Sequence, residues 1–297
     1  DVYKRQHMLR RKKLKGFSLY DFVICLFVLA FAVLCILPFW YTFTYSITPY
    51  ADYLKNPVSL IPRNVTLEAY AEALRFPLLT TGFINSIFIV VAGSVLQVLV
   101  LVMTAYPLTK KNLKGTKAVM LLYIFTMFFS GGIIPEYFVM QKLHLINSLW
   151  ALILSSVNGA YSIILMKNFL SSISESLTEA ATIDGANDFQ TLFRIVLPLS
   201  KPAVATMFLM YAVVNWNEFF KAIIYTTKRS VWPLQLVLRE MILEGNMSEM
   251  MAANERTVFP FSLQMATVML SIVPIICMYP FLQRYFVSGL TMGAVKE

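Results

Sequence analysis

Side chains that could do chemistry are scarce in this sequence and gather in two places. The first is Asn215-Trp216-Asn217-Glu218, followed by Lys221. Amides and an indole suit a polar ligand with apolar faces, and Glu218 and Lys221 share one helix turn as a local ion pair. The second is the stretch from Lys167 to Lys201, which contains Ser176-Leu-Thr-Glu179. That spacing is a capping box, in which Ser176 accepts from the Glu179 amide and Glu179 reaches back. A short helix is expected from Leu177 to about Ile183, with Leu177, Ala180 and Ala181 on one face. Two adjacent alanines there let another surface come close. Gly185 ends the helix because glycine tolerates positive φ. Asn187 or Asp188 then caps a second helix carrying Phe189, Phe193 and Val196 on one face. Pro198 and Pro202 lead into the next apolar run.

Neither place is a catalytic cluster. The two histidines, His7 and His144, have no zinc-site spacing to Cys25, Cys35 and Cys277, which sit in apolar stretches. No Ser/His/Asp arrangement and no G-x-x-x-x-G-K-[ST] loop occurs, so the chain brings neither hydrolytic machinery nor its own ATP site. No catalytic residue, metal or cofactor is expected in it.

The elements that must hold these residues are apolar. Of 297 residues, 58% are hydrophobic and 14% charged, with mean hydropathy +0.66. A soluble domain carries about 25% charged residues. Runs without Asp, Glu, Lys or Arg separate Asp21 from Asp52, Arg75 from Lys110, Lys117 from Glu136, Lys142 from Lys167, Lys201 from Glu218 and Arg256 from Arg284. A helix needs about 20 apolar residues to cross a bilayer. Six spans follow, near Phe22–Tyr45, Phe83–Tyr106, Ala118–Ile134, Ile146–Met166, Pro202–Ile224 and Phe261–Leu282. The fifth is the least regular, since Glu218 and Lys221 fall at its outer end. Strands are disfavoured, because open edges leave backbone groups unsatisfied in lipid and barrel strands alternate in polarity. The fold class is an all-α integral membrane protein with six transmembrane helices. Pro107 closes the second span, Pro135 follows the third, and Pro274 should kink the sixth. The first run is too long for a signal-peptide core and is read as an uncleaved span, with Met8 a candidate start.

Loop charge orients the chain. With the N-terminus inside, sixteen of the 25 Lys and Arg face the cytoplasm, including the cluster from Arg10 to Lys15. That cluster also suits anionic lipid. The formal net charge of +9 then lies wholly on the inner face, and nucleic acid is not needed to explain it. Both termini are placed in the cytoplasm. The expected organisation is a basic N-terminus (1–19), the first span with an outer loop (20–81), the main transmembrane domain (82–283) and a cytoplasmic tail (284–297). A short amphipathic helix is expected at Leu67–Leu74. Asn85 and Gln97 are expected to bond between helices, with Gly93 and Ser94 as small packing residues.

The inner segment carries a family resemblance. Glu179-Ala180-Ala181, then three residues, Gly185, then nine residues and Ile195-Val196-Leu197-Pro198 resembles the EAA loop of ABC importer permeases. The longer string EAATIDGANDFQTLFRIVLPLSKP is similar to the carbohydrate branch, the maltose-type permeases. Ser130-Gly131-Gly132-Ile133-Ile134-Pro135, the stretch Asn215 to Phe219 and the tail Phe286 to Lys296 are similar to the same branch. The SGG-I-I-P stretch resembles its subgroup for complex or acidic oligosaccharides.

The resemblance implies a coupling helix between spans four and five that docks on a cytoplasmic ATPase subunit. Glu179, Ala180, Ala181, Asp184, Gly185, Ile195, Leu197 and Pro198 are its coupling residues. Asn215, Trp216, Asn217 and Glu218 are candidate translocation-path residues. It further implies a second permease subunit, two ATPase subunits that bind the ATP, an extracellular substrate-binding protein, a plasma-membrane location, and a tail from Gly289 to Lys296 reaching the ATPases. An ion-coupled secondary transporter is the rival reading, and Glu218 is its one candidate membrane acid.

Overall fold

The computed structural model describes residues 19–56, 60–110, 112–157, 159–243 and 260–294, with backbone alone for residues 50, 260 and 282–294. Every regular element among them is helical. The short helices α2 (Tyr50–Lys55) and α3 (Glu68–Arg75) follow α1 (Leu19–Ser46). The second apolar run is one long rod: α4 (Pro77–Phe88), a widened π turn at Ile89–Gly93, and α5 (Ser94–Ala105), closed by a 3-10 turn at Pro107–Thr109. Then come α6 (Thr116–Phe128), α7 (Ile133–Lys142), α8 (Leu149–Leu154) and α9 (Ala160–Ser171). The inner segment forms α10 (Glu175–Ile183), α11 (Asp188–Thr191), a π turn at Leu192–Val196, and α12 (Leu197–Leu199). Finally α13 (Lys201–Trp216), α14 (Phe220–Tyr225), α15 (Leu234–Leu243) and α16 (Pro260–Ala294) complete the chain.

Three helices are long and apolar enough to cross a membrane, within Leu19–Ser46, Pro77–Thr109 and Phe261–Phe281. Two bent pairs raise the number to five among the described residues. The expected continuous third, fourth and fifth spans are all interrupted. Helices α6 and α7 meet at 116°, because Ser130-Gly131-Gly132 intervenes and Gly132 takes φ +86°, where a side chain is strained. The fourth run divides into α8 and α9 around Ser155, Ser156 and Val157. The fifth ends at Trp216 and restarts at Phe220. The breaks in the third and fourth runs carry no charge, so an uncharged-stretch map passes over them, whereas the fifth breaks at Asn217-Glu218-Phe219, where Glu218 ends the charge-free run. By contrast α16 runs unbroken through Pro274 and Pro280.

The core lies around α5 and α13. Val98, Leu101, Val102 and Ala105 of α5 pack against Ile163, Met166 and Leu170 of α9 and Met207 and Tyr211 of α13. On the other side Trp216 packs with Leu79, Leu234, Val237 and Leu263, its ring edge-on to Phe83 at 5.6 Å. Helix α1 contributes little to this core. Only Thr44, Tyr45 and Ser46 at its outer end are buried, and Tyr45 meets Phe261 of α16. Its exposed leucines and phenylalanines suit contact with lipid chains or another membrane helix.

Gly93, at the end of the π turn before α5, lies against Asn215 of α13. A Cβ there would lie 3.0 Å from Asn215 Nδ2 and 3.6 Å from Ile153 Cγ1. Overpacking such a site costs about 1–3 kcal/mol. The variant Gly93→Val should therefore unfold at a lower temperature than the parent in detergent, while Gly131→Val, which meets nothing within 4 Å, should not.

Candidate functional site

The inner segment is a pair of helices with different jobs. The first, α10, presents most of its surface outward: Glu179, Ala180, Asp184 and Gly185 are exposed, and only Ala181 is buried. The pair of alanines is thus split, one facing inward and one out. Two backbone bonds close the helix, Gly185 N–H to the Thr182 carbonyl and Ala186 N–H to the Ala181 carbonyl. This is a Schellman stop, and Gly185 takes φ +82° to make it. The N-terminus differs from the expected capping box. Helix α10 begins at Glu175, so Ser176 is already inside its first turn. The Ser176 hydroxyl bonds the Ser174 hydroxyl at 2.7 Å instead. The capping box is one helix later: Gln190 N–H donates to Asn187 Oδ1, and Asn187 N–H donates to Gln190 Oε1.

The second helix is the anchor. Thr191, Leu192 and Val196 are buried against the α5–α9–α13 core, with Ile195 and Leu197 half-buried. Its expected apolar face of Phe189, Phe193 and Val196 holds for Val196 alone. Phe189 and Phe193 are exposed, because the π turn at Leu192–Val196 rotates the buried stripe. That widened turn precedes Pro198, which has no N–H to continue the regular ladder. The chain then bends by 83° into α13. A displacement of α10 would reach the spans through Leu192 and Val196.

Lys110 ties the end of the second span to this module. Its ammonium lies 3.7 Å from the Asp188 carboxylate and 4.8 Å over the Tyr106 ring. Burial opposes its charge, but Tyr106 and Asp188 outweigh that and raise its pKa, so Lys110 stays cationic. A cleft of about 610 Å³ opens beside it, lined by Asn112, Ser174, Glu175 and Glu179 among others.

The second group of candidates sits where three helix irregularities meet. Asn215 is buried and donates to Ser94 Oγ at 3.1 Å and Gln97 Oε1 at 3.0 Å. Gln97 in turn donates to the Ser156 carbonyl at 3.2 Å. Trp216 is buried too, its indole N–H bonded to the Ser271 carbonyl. Within this chain Asn215 and Trp216 face other helices, while Asn217 is exposed and Glu218 half-buried. The expected Glu218–Lys221 ion pair is replaced by two separate bonds. Glu218 Oε1 accepts the Lys221 backbone N–H at 2.9 Å, and the Lys221 ammonium reaches the Ser155 carbonyl at 2.7 Å and Ser156 Oγ at 2.9 Å. Asn85 does bond between segments, to the Ser230 and Trp232 carbonyls. Ser155 and Ser156 were not singled out from the sequence, and an adjacent serine pair inside an apolar run is the signal that marks them.

This arrangement of rods, breaks and a protruding helix pair is matched among known proteins. Residues 10–292 match the family model described as the binding-protein-dependent transport system inner membrane component. The chain belongs to this family. Among its relatives is the polygalacturonan/rhamnogalacturonan transport system permease protein YtcP of Bacillus subtilis, 37% identical over 94% of this chain and 98% of YtcP. Protein LplC of the same organism is 37% identical over 95% of this chain and 96% of its own length. A chain from the crystal structure of a bacterial ABC transporter involved in import of the acidic polysaccharide alginate superposes with a TM-score of 0.87. It is 33% identical, over 92% of this chain and 98% of that one. The protein is therefore a multi-pass membrane permease of the carbohydrate branch, and its family favours an ABC importer over an ion-coupled transporter.

In this permease the Asn215 amide serves two buried partners at once. Replacing it with an apolar residue of similar size leaves the Ser94 hydroxyl and the Gln97 amide short of a bond, at about 1–3 kcal/mol. Asn215→Leu should lower the thermal midpoint in detergent more than Asn217→Leu does, since the Asn217 amide bonds only its own helix at the Val213 carbonyl.

Proposed function

We propose that this permease forms one half of the translocation pathway of an ATP-driven importer for acidic oligosaccharides. Six spans with both termini cytoplasmic, counting the interrupted third, fourth and fifth runs as spans, belong to this reading. So do the four-part division at residues 19, 81 and 283, a second permease subunit, two ATPase subunits that hold the ATP, and an external substrate-binding protein. The proposed tail contacts from Gly289 to Lys296 involve side chains outside those described. The acidic class of sugar is carried over from the relatives, whose names specify polygalacturonan and alginate.

One observation carries the coupling role. Helix α10 is anchored through its successor yet leaves an apolar and acidic surface uncovered: Leu177, Ala180, Ile183 and Phe189 beside Glu179 and Asp184. Ile183 is 86% exposed and Phe189 is 65% exposed. Such a surface on a membrane protein's aqueous side fits a partner protein. The ATPase is that partner, meeting Glu179, Ala180, Asp184 and Gly185, while Ala181, Ile195, Leu197 and Pro198 fix the helix pair to the spans. Closure of the ATPases moves α10, and the packed core passes the motion to α5 and α13 through Leu192 and Val196.

Gly185 gives a clean test. Apart from its chain neighbours, no described residue lies within 4 Å of a Cβ placed there, so the first side-chain atom meets no clash in either variant. Asparagine also tolerates the left-handed backbone. In the reconstituted importer, Gly185→Asn should keep most uptake. Gly185→Tyr should reduce sugar uptake about tenfold or more with normal membrane levels. Wild-type uptake in both Gly185→Tyr and Glu179→Lys would overturn the docking role.

A further inference from the structure

Lys221 is a cation inside a largely apolar part of the chain, just past α13, and its environment is unusual. Its ammonium bonds only neutral oxygens, the Ser155 carbonyl and Ser156 Oγ, both at the break between α8 and α9. Glu218, one turn away, spends an oxygen on the Lys221 backbone N–H. No carboxylate forms an ion pair with Lys221 among the described residues. An ammonium carries three donors, so with two engaged a third remains.

The surroundings say which way that donor is used. Ser155, Ser156, Glu218 and Lys221 are half-buried, and Gly159 and Asn217 are exposed. Their neighbours along the chain, Trp150, Leu154, Phe219 and Phe220, are exposed apolar residues. Irregular backbone at membrane depth is tolerated only where protein buries it or where it lines a wet cavity. Charged groups there, Lys221 and the Glu218 carboxylate turned to its backbone N–H, are costly against lipid and mark a ligand or ion route. The neutral serine oxygens orient the lysine without cancelling its charge, so the charge remains available to an anion.

We propose that Lys221 is a specificity-determining residue of the pathway, donating to the carboxylates of the acidic oligosaccharide as it passes. The inference rests on the acidic-sugar reading above. The Ser155 carbonyl and Ser156 hydroxyl position the ammonium. They also bind the lysine to the network that reaches through the Ser156 carbonyl to Gln97 and Asn215. The site holds a carboxylate by one charge-assisted bond, strong enough to select an acid and weak enough to release it.

The test uses the complete importer in proteoliposomes: both permeases, the ATPases and the binding protein. The probes are a galacturonate trisaccharide and the same trisaccharide with its carboxyl groups reduced to alcohols. The variants are Lys221→Gln, which can still bond Ser155 and Ser156, and Lys221→Arg, which keeps the charge. Losing one bond to a charged group should cut galacturonate uptake roughly tenfold or more in Lys221→Gln. Uptake of the neutral trisaccharide should fall less than about twofold, and Lys221→Arg should retain most galacturonate uptake. Thermal unfolding of each complex checks that the variants fold. Equal losses for both sugars, equal losses in both variants, or unchanged galacturonate uptake in Lys221→Gln would each overturn the proposal. If the wild-type importer refuses galacturonate although its binding protein holds it, the acidic-sugar reading falls, and the Lys221 proposal with it.

Discussion

Backbone polar groups in a membrane have no water to turn to, and every departure from helix must find partners within the protein. This chain departs from regular helix in the widened turn at Ile89–Gly93, around Ser155 and Ser156, and between Trp216 and Phe220. One connected set of side chains serves all three places. Asn215 links Ser94 and Gln97, Gln97 holds the Ser156 carbonyl, and Lys221 holds the Ser155 carbonyl beside it. Gly93 makes room for the Asn215 amide, and this fixes how closely α5 and α13 approach. The network's two backbone bonds both fall at the break between α8 and α9, on the Ser155 and Ser156 carbonyls.

In the proposed coupling the same two rods receive the motion. Helices α5 and α13 meet α9 in the buried cluster that receives Leu192 and Val196 from the inner helix pair. The proposed coupling thus runs from α10 to the helices that hold the Asn215 network. The module has an unequal build, one helix anchored and one exposed, joined through the Schellman stop at Gly185. Such a build suits a lever better than a passive interfacial helix, which would turn its apolar residues toward the headgroups. Lys110 adds a second tie from the end of the second span to Asp188, and it stays charged through the physiological range.

Much of this was legible in residue order. Charge-free runs located the apolar segments, because a charge is too costly to leave in lipid. Gly185 was identified as a helix stop, and Asn187 as a candidate cap, from the local chemistry of single residues. The coupling segment was legible as a family pattern spread over fixed positions. Less legible were the glycine and serine breaks inside spans three and four. Ser155, Ser156 and Gly132 cost nothing on a charge map, and whether they bend a helix depends on which neighbours satisfy the opened backbone. The capping box at Ser176–Glu179 misled for a related reason. The pattern was present, but Ser174 and Ser176 bond each other and the helix starts earlier.

By itself the sequence determined the all-helical membrane class, the family and the place of the inner helix pair, since these rest on hydrophobicity, charge and local turn chemistry along the chain. Tertiary structure decided the partners of the polar residues. Asn215 and Trp216 turned to buried helix contacts, Phe189 and Phe193 turned outward, and Lys221 left Glu218 for Ser155 and Ser156. The physical reason is distance in sequence. Lys221 and Ser155 are 66 residues apart, and Asn215 and Ser94 are 121 apart. The packing of α8 on α14 brings the first pair together and that of α5 on α13 the second, and no local pattern records which face each helix will bury.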